Sequence, residues 1–545
     1  MISAFTGTDV RAAEQPLLDP RSDGGAVLMQ RAAHGLAAAI VSELRARGQR
    51  FAGSGVTVLA GKGNNGGDGL FAASFLARRG MRTTAVLTAG SAHTEALAAF
   101  TAAGGRVLIL DSGSNAGSNA GNAEELAVLC AGDDVVIDAV LGTGARGGLR
   151  GAAAELVAAL QELRPRLVVA CDVPSGVDAD TGEVHWPVLD AQLTVTFGGI
   201  KAGLLADPGE GCAGRVQLVP IGIESLLPAP VLRRFSTADL AALLPSPGRR
   251  AHKYSRGVLG VVAGSEKYAG AAVLSVHAAV VSGAGMVRYL GPAAVARQVL
   301  ARTPEALWEG AGAEGANGSG GAWPGRVQAW LVGPGLDGAG QLENARDALA
   351  AALDGGQPAV VDAGALELLP DRCPPHWILT PHAGELSALL GRSEMPVTRE
   401  DVESRPLHFV RLAAEHTGAT VLLKGATTLV ASPSGAVFSQ SEGCPWMATA
   451  GSGDVLAGIL GALLAQCAGP GMDDDGAFAA LGVAPEDRWA ALGAVAVSLH
   501  GLAGSAASGV SRARFDAGAG GGPVTALGIA DAVSGVWAQI VADRL

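Results

Sequence analysis

The sequence predicts an α/β protein of two domains, each a largely parallel sheet covered by helices. Short apolar runs alternate with amphipathic stretches of helical period along most of the chain, the pattern of strands joined by crossover helices. A Pro-containing, aperiodic stretch, Glu224–Phe235 (ESLLPAPVLRRF), interrupts the series, which then starts again. The length, 545 residues, also exceeds one domain at about 100–200 residues per domain.

In the first half the strand candidates are Val56–Ala60, Thr84–Thr88, Arg106–Leu110, Val135–Ala139, Leu167–Asp172, Leu193–Phe197 and Arg215–Pro220. Gly69–Arg79 and Gly151–Leu163 carry helical periods between them. The second series is Val258–Gly264, Met286–Leu290, Ala329–Gly333, Ala359–Asp362, Trp377–Thr380 and Thr420–Lys424. Long helices over Ser452–Gln466, Asp487–Ala507 and Thr525–Leu545 close the chain. The expected domains are therefore 1–223 and 236–545, with 224–235 as linker. Asp111–Asn122, Glu309–Gly321 and Ala517–Gly522 are low in complexity and read as surface loops.

Composition narrows the function. Apolar residues make up 49%, enough for two cores, and the mean hydropathy of +0.32 is inflated by alanine. Net charge is −12 with no long Lys/Arg run, which disfavours nucleic acid and anionic membranes as partners. The most apolar runs, such as Val455–Ala465, are too short for a membrane span of about 20 residues. The N-terminus lacks a basic region followed by an apolar run, so a cytoplasmic protein is expected. The six cysteines are scattered with no CxxC pair, consistent with reduced thiols, and no His/Cys cluster has zinc spacing. Only five lysines occur (Lys62, Lys201, Lys253, Lys267 and Lys424), all in or beside Gly-rich or turn-like segments. Where arginine is so favoured, a retained lysine marks a place for a compact ammonium.

The first chemistry-bearing segment is Gly61-Lys62-Gly63-Asn64-Asn65-Gly66-Gly67-Asp68-Gly69, between a strand and a helix. Such a turn is an anion cradle of backbone N–H groups. It contains GxGxxG, but the next strand ends without the acid that a dinucleotide fold uses for ribose, and no GK[ST] follows. An Asp at this place also serves as a helix cap. Two later strand ends carry Asp138-Ala-Val-Leu-Gly142-Thr143-Gly144 and Asp172-Val-Pro174-Ser175-Gly176. Ligands of open α/β sheets bind at the carboxyl ends of strands, so these turns should meet. Their oxygen-only donors suit a hard cation.

Together NNGGDG, DAVLGTG, DVPSGVDADTG and TVTFGGIKAGL, in this order, resemble the YjeF-type NAD(P)H-hydrate epimerases over about residues 1–222. The resemblance implies a Rossmann-like three-layer sandwich that epimerises carbon 6 of hydrated NADH and NADPH. It places the substrate on Asn64, Asn65, Gly66, Gly67 and Asp68, on Gly142, Thr143, Gly144, Ala145, Arg146, Gly147 and Gly148, and on Asp172. It implies a potassium ion on Asn65, Asp138 and Ser175, and Asp172 is the expected proton-transfer residue.

In the second half four segments stand out: His252–Gly257 leading into Gly264–Ala271; Val332-Gly333-Pro334-Gly335-Leu336; Thr380-Pro381-His382-Ala383-Gly384-Glu385; and Ala450-Gly451-Ser452-Gly453-Asp454. The last opens an apolar helix. Its glycine turn offers N–H groups and the positive dipole end to a phosphate, and Asp454 is set to take a proton from an attacking hydroxyl. Lys424-Gly425-Ala426-Thr427-Thr428, after a strand, is the nucleotide candidate. With HKYSRG and MATAGSGDVLAG, these segments resemble the ribokinase-like NAD(P)H-hydrate dehydratases over about residues 236–545. That implies a ribokinase-like α/β domain that phosphorylates the hydroxyl of the S epimer and then eliminates phosphate. Ala272, Gly335, His382 and Asp454 would meet the hydrate, with Asp454 as base. Lys424, Gly425, Ala426, Thr427, Thr428 and Gly453 would meet ADP or ATP carried with magnesium. Bacterial members generally use ADP, and the Ala/Gly/Arg-rich composition fits a high-GC bacterium, which favours ADP.

The expectation is a bifunctional repair enzyme acting on NADHX and NADPHX; a homo-oligomer is left open. Its rivals are a small-alcohol kinase fused to a nucleotide-binding domain, and a nucleotide-sensing scaffold with an inactive first domain.

Overall fold

The computed structural model describes residues 1–18, 24–111, 120–309, 327–392, 395–468, 475–512, 514 and 518–542. Of the three low-complexity stretches, residues 112–119, 310–321 and 517 lie outside this set. The chain forms two compact units, Ser3–Leu232 and Met1–Ile2 with Arg233–Leu545.

The smaller unit is built on eight parallel strands in the order Arg215–Val219, Leu193–Phe197, Val168–Cys171, Val135–Ala139, Gly55–Ala60, Arg82–Leu87, Arg106–Leu110 and Ala120–Gly121. Alternate side chains of each strand enter different cores, as the two-residue period of a strand requires. Val56, Val58 and Ile137 join Leu36, Leu70 and Phe100 from the helices Gly24–Ala46, Asn64–Arg78 and Thr94–Ala102. Leu59, Val86 and Val136 face the other way, onto Leu126 and Leu156 of Ala123–Ala131 and Ala152–Leu163. Both faces are therefore buried, which is why these strands read as continuous apolar runs.

In the larger unit the strand order is Leu307–Trp308, Met286–Tyr289, Val258–Val262, Ala329–Val332, Ala359–Val361, Trp377–Leu379, Thr420–Leu423, Thr428–Ala431, Val437–Gln440 and Leu232–Arg234. Thr428–Ala431 runs antiparallel to both of its neighbours, and the other pairs are parallel. The main core joins Leu259, Val261 and Leu331 to the helices Ala269–Val281, Ser452–Cys467, Arg488–Ser508 and Ala526–Ala542. Ala339–Asp354 and Pro406–Thr417 pack on Ala329–Val332 and Thr420–Leu423.

Two expectations change. The segment 224–235 is not irregular throughout: Glu224–Leu226 forms a 3-10 turn, and Leu232–Arg234 is a strand whose Arg233 pairs with Phe438. Three residues are too few to show a period. Further, Pro485–Ser508 is long and apolar enough to cross a membrane, although 83% of its most apolar window is buried inside this fold, where Leu492, Val495 and Leu499 belong to the core.

Candidate active sites

In the smaller unit the carboxyl ends of five neighbouring strands and the first helix, Gly7–Glu14, enclose a cavity of about 770 Å³. The turn Gly61–Gly63 runs into the helix Asn64–Arg78, whose start no side chain caps. A Cβ on Gly66 would stand 2.0 Å from the Gly61 carbonyl oxygen, so only glycine lets helix and turn approach this closely. Asn64, Asn65 and Asp68 line the cavity, whereas Gly66 and Gly67 are buried in the helix behind it. From the next turn Gly142, Thr143, Gly144, Ala145 and Gly148 line it, and Arg146 and Gly147 do not.

Asp172 stands at the centre. It follows the strand Val168–Cys171 with φ of +69°, a conformation that non-glycine residues seldom adopt and that clusters at functional sites. Its Oδ1 accepts from Thr196 Oγ1 (3.0 Å) and the Phe197 amide (3.3 Å), and forms a short ion pair with Lys201 Nζ. Lys201, with a side chain only 1% exposed, also donates to Thr196 Oγ1 (3.1 Å) and the Phe197 carbonyl (2.9 Å). Two more carboxyls share the cavity. Burial, with Asp172 and Glu14 nearby, pushes Asp68 well above the ordinary carboxyl range, and its buried Oδ1 has no hydrogen-bond partner among the described residues. Burial raises Glu14 as well, with Lys201 opposing. A buried ion pair thus faces two carboxyls biased toward their protonated form, a set of groups able to give and take protons.

Behind this wall Asp138 is fully buried and, among the described residues, carries no ion pair with a basic side chain. Its oxygens accept from the Ser175 amide (2.7 Å), Ser175 Oγ (2.6 Å) and the Val140 amide (3.3 Å). Ser175 Oγ accepts from the Leu141 amide (2.8 Å), and Asn65 Nδ2 donates to the Leu141 carbonyl (2.8 Å). Asn65, Asp138 and Ser175 therefore gather around Leu141.

In the larger unit two cavities flank the start of the helix Ser452–Cys467, which the left-handed Gly451 opens without a side-chain cap. One, of about 570 Å³, is lined by Tyr268, Ala271, Gly335, Leu336, Gly451 and Asp454 among others. Gly335 has φ of +64°, and a Cβ there would meet Ala271 Cβ at 2.6 Å. The other, of about 450 Å³, is lined by Lys424, Gly425, Ala426, Thr428, Glu442, Gly453 and His500 among others. Lys424 Nζ donates to Asp362 Oδ1 (2.9 Å) and lies 3.7 Å from Glu385; Thr380 Oγ1 also donates to Asp362 Oδ1 (2.8 Å). Burial works against the Lys424 charge, but Asp362, Glu385 and Asp454 together hold the ammonium above its ordinary value. Burial, then the Asp362 charge, pushes Asp454 up to about 6, with Lys424 opposing. Burial pushes His500 down to about 4, so its ring, 3.2 Å from Ser452 Oγ, is neutral at physiological pH.

Three of the expected residues do not line these cavities. His382 lines neither cavity: it caps the helix Ala383–Gly391, its Nδ1 accepting from the amides of Gly384 (3.0 Å) and Glu385 (3.2 Å). Ala272 is fully buried behind the first cavity, whose wall is formed instead by its neighbour Ala271. Thr427 is buried and outside the second. Conversely, the sequence alone assigns no role to Lys201, Glu14, Asp362, Glu442 or His500, which line or support these cavities. Lysine scarcity was the one signal for Lys201.

A family model described as YjeF-related protein N-terminus matches residues 25–203, and one described as NAD(P)H-hydrate dehydratase matches 259–511. The chain is similar to the bifunctional NAD(P)H-hydrate repair enzyme Nnr of Mycobacterium tuberculosis (45% identity over 466 residues, 84% of this chain and 88% of that one). It is also similar to the enzyme of the same name from Escherichia coli K12 (33% over 419 residues, 76% of each). Among solved structures, an ADP/ATP-dependent NAD(P)H-hydrate dehydratase from Bacillus subtilis, co-crystallised with ATP/Mg2+, is 25% identical and aligns with a TM-score of 0.45, covering 56% of this chain and 97% of that one.

Proposed function

The chain belongs to the family of bifunctional NAD(P)H-hydrate repair enzymes, and from that premise we propose how its two units divide the work. The protein interconverts the R and S forms of hydrated NADH and NADPH and dehydrates the S form at the expense of ADP or ATP. The smaller unit performs the first step and the larger unit the second. One observation carries this reading: each unit holds its own carboxylate at the carboxyl ends of its strands, Asp172 buried and paired with Lys201, and Asp454 half-buried in the wall of one cavity with its neighbour Gly453 in the wall of the other.

In the smaller unit Asp172 takes and returns the proton as carbon 6 changes configuration, and Lys201 holds its carboxylate in place. Asp138, Asn65, Ser175 and the Leu141 carbonyl fit a potassium ion: a buried carboxylate that forms no ion pair with a basic side chain among the described residues, with a hydroxyl, an amide oxygen and a carbonyl close by, suits a single positive charge. When bound, potassium would offset the Asp138 charge and fix the two turns that flank the substrate.

In the larger unit Lys424, Gly425, Ala426, Thr428 and Gly453 hold the adenine nucleotide, ADP by preference. Gly335, Ala271 and Asp454 face the hydrate. Asp454 takes the hydroxyl proton as the substrate oxygen bonds to phosphorus; the nucleotide leaves one phosphate shorter. The phosphate on carbon 6 is then eliminated, restoring the reduced nicotinamide. No cluster of three or more acidic, His or Cys side chains forms a metal cage among the described residues, and Lys424 already occupies Asp362. Magnesium fits here as a companion of the nucleotide phosphates, since it keeps most of its waters. The six cysteines are free and buried, which supports work in a reducing cytoplasm.

The test is incubation with mixed NADHX epimers and either ADP or ATP, following NADH absorbance. Recovery of the whole pool supports both assignments. Consumption of half, with the R form left, removes the epimerase role, and no recovery with either nucleotide removes the dehydratase role.

A further inference from the structure

We propose that the larger unit carries a second ligand site, remote from its reaction cavities, that takes an aromatic monophosphate of mononucleotide size. The site is a cavity of about 450 Å³ between the loop 245–256, residues Val281, Ser282 and Gly283, and the helix Ala526–Ala542. Gln466, near the far end of the helix that Asp454 begins, forms part of its wall. Twelve residues of helix separate the two, about 18 Å at 1.5 Å per residue, so an occupant would not compete directly at the reaction centre.

The lining specifies the ligand. It contains Arg250 and Arg256 and no carboxylate, and neither arginine forms an ion pair among the described residues. Arg256 is steadied by donation to the Gly283 carbonyl (2.9 Å), which leaves other N–H groups of its fork for an anion. Two guanidinium groups match the charge of a phosphate monoester, about −1.5 to −2 at neutral pH. Arg249 and Lys253 beside them deepen the positive field.

Opposite, the half-buried Trp537 presents an indole on which an aromatic ring can stack. Ser282 is 1% exposed, and its buried hydroxyl has no hydrogen-bond partner among the described residues, an unusual state for a polar group at the floor of a cavity. Gln466 spends its Nε2 on the carbonyls of Ser282 (3.0 Å) and Ala462 (3.1 Å), which leaves Oε1 turned toward Gly283. A donor and an acceptor side by side suit the polar edge of a base or the hydroxyls of a sugar.

The test uses the full chain and AMP as probe. Calorimetry should give AMP binding at two places. Arg250→Ala/Arg256→Ala should remove one of them, by tenfold or more, with dehydratase kcat and the KM for ADP unchanged. Lys424→Ala should remove the other. Ser282→Ala should weaken the same binding event without lowering Tm, since its hydroxyl supports nothing else. Adenosine and inorganic phosphate should each bind there at least tenfold more weakly than AMP, and soaked crystals should show AMP against Trp537. An unchanged AMP isotherm in the double arginine variant overturns the proposal. So does a single binding event lost in Lys424→Ala, or a change of oligomeric mass in the arginine variant with AMP binding intact, which would make this face an interface between copies.

Discussion

Asp454→Asn should make the protein more stable and almost inactive in its second reaction. Asp454 lies half-buried at the first turn of an apolar helix, where burial and Asp362 move its carboxyl from the ordinary 3.8 to about 6. That displacement means the ionised form is disfavoured in the folded state by roughly 3 kcal/mol, at about 1.4 kcal/mol for each tenfold change. A raised acid contributes stability that is present below about 3.8 and lost as pH climbs through about 6. At pH 7.5 the whole penalty applies to the aspartate and none to the isosteric amide. The variant should therefore gain up to roughly 3 kcal/mol at pH 7.5, a rise of about 6 °C in the melting of a unit this large. The gain should shrink toward zero by pH 4. Turnover should fall by about 10²–10⁴, the usual loss on removing a general base, while epimerisation in the same molecule continues. Wild-type dehydration should lose rate below about pH 6, as Asp454 takes up its proton. Scanning calorimetry at pH 7.5 and 4.5, beside NADH recovery with ADP, reads all of this. A variant no more stable than wild type at pH 7.5, a gain that persists unchanged at low pH, or turnover within a few-fold of normal would each refute the reasoning.

Lys201→Met should leave the Asp172 carboxylate buried without its cation, costing about 3–5 kcal/mol; the smaller unit should melt earlier and epimerisation should cease. Lys201→Met/Asp172→Asn should regain most of that stability in the same calorimeter but none of the activity. Exchange of potassium for sodium or choline should slow epimerisation and leave dehydration unchanged, and Asp138→Ala should abolish the difference between salts; equal epimerase rates in all three salts would remove the ion from the reaction. A chain of residues 231–545, which keeps the strand Leu232–Arg234 beside Val437–Gln440, should consume the S epimer and leave the R epimer behind, apart from slow spontaneous exchange. Equal enzyme-dependent use of both epimers by that chain would end the assignment of one step to each unit.

What could be read from the sequence was local, and what could not was carried by chain return. Strands buried on both faces announce themselves as apolar runs, and glycine turns at their carboxyl ends mark where ligands can approach, so Asn65, Asp138, Asp172 and Asp454 stand out as candidates from the sequence alone. Lys201 was noticed only as a rare lysine: its contact with Asp172 spans 29 residues and depends on two strands lying side by side. Asp362 ended a predicted strand without a role, because its partner Lys424 is 62 residues away. His500 sits in a helix so apolar that its period says only core. The segment TPHAGE carries two readings at once, a ligand contact and a capping box with Glu385 three residues on. The fold forms the capping box, and His382 spends its Nδ1 on the helix. The antiparallel pair Thr428–Ala431 and Val437–Gln440 was missed because no helical period separates it. The helix Ser452–Cys467 shows why fold and chemistry are hard to separate here. Nearly every residue from Val455 onward is buried, which fixes the helix in the core. The same burial withdraws water from Asp454 and lifts its carboxyl toward neutrality. The apolar run that looked like packing is thus also what tunes the base.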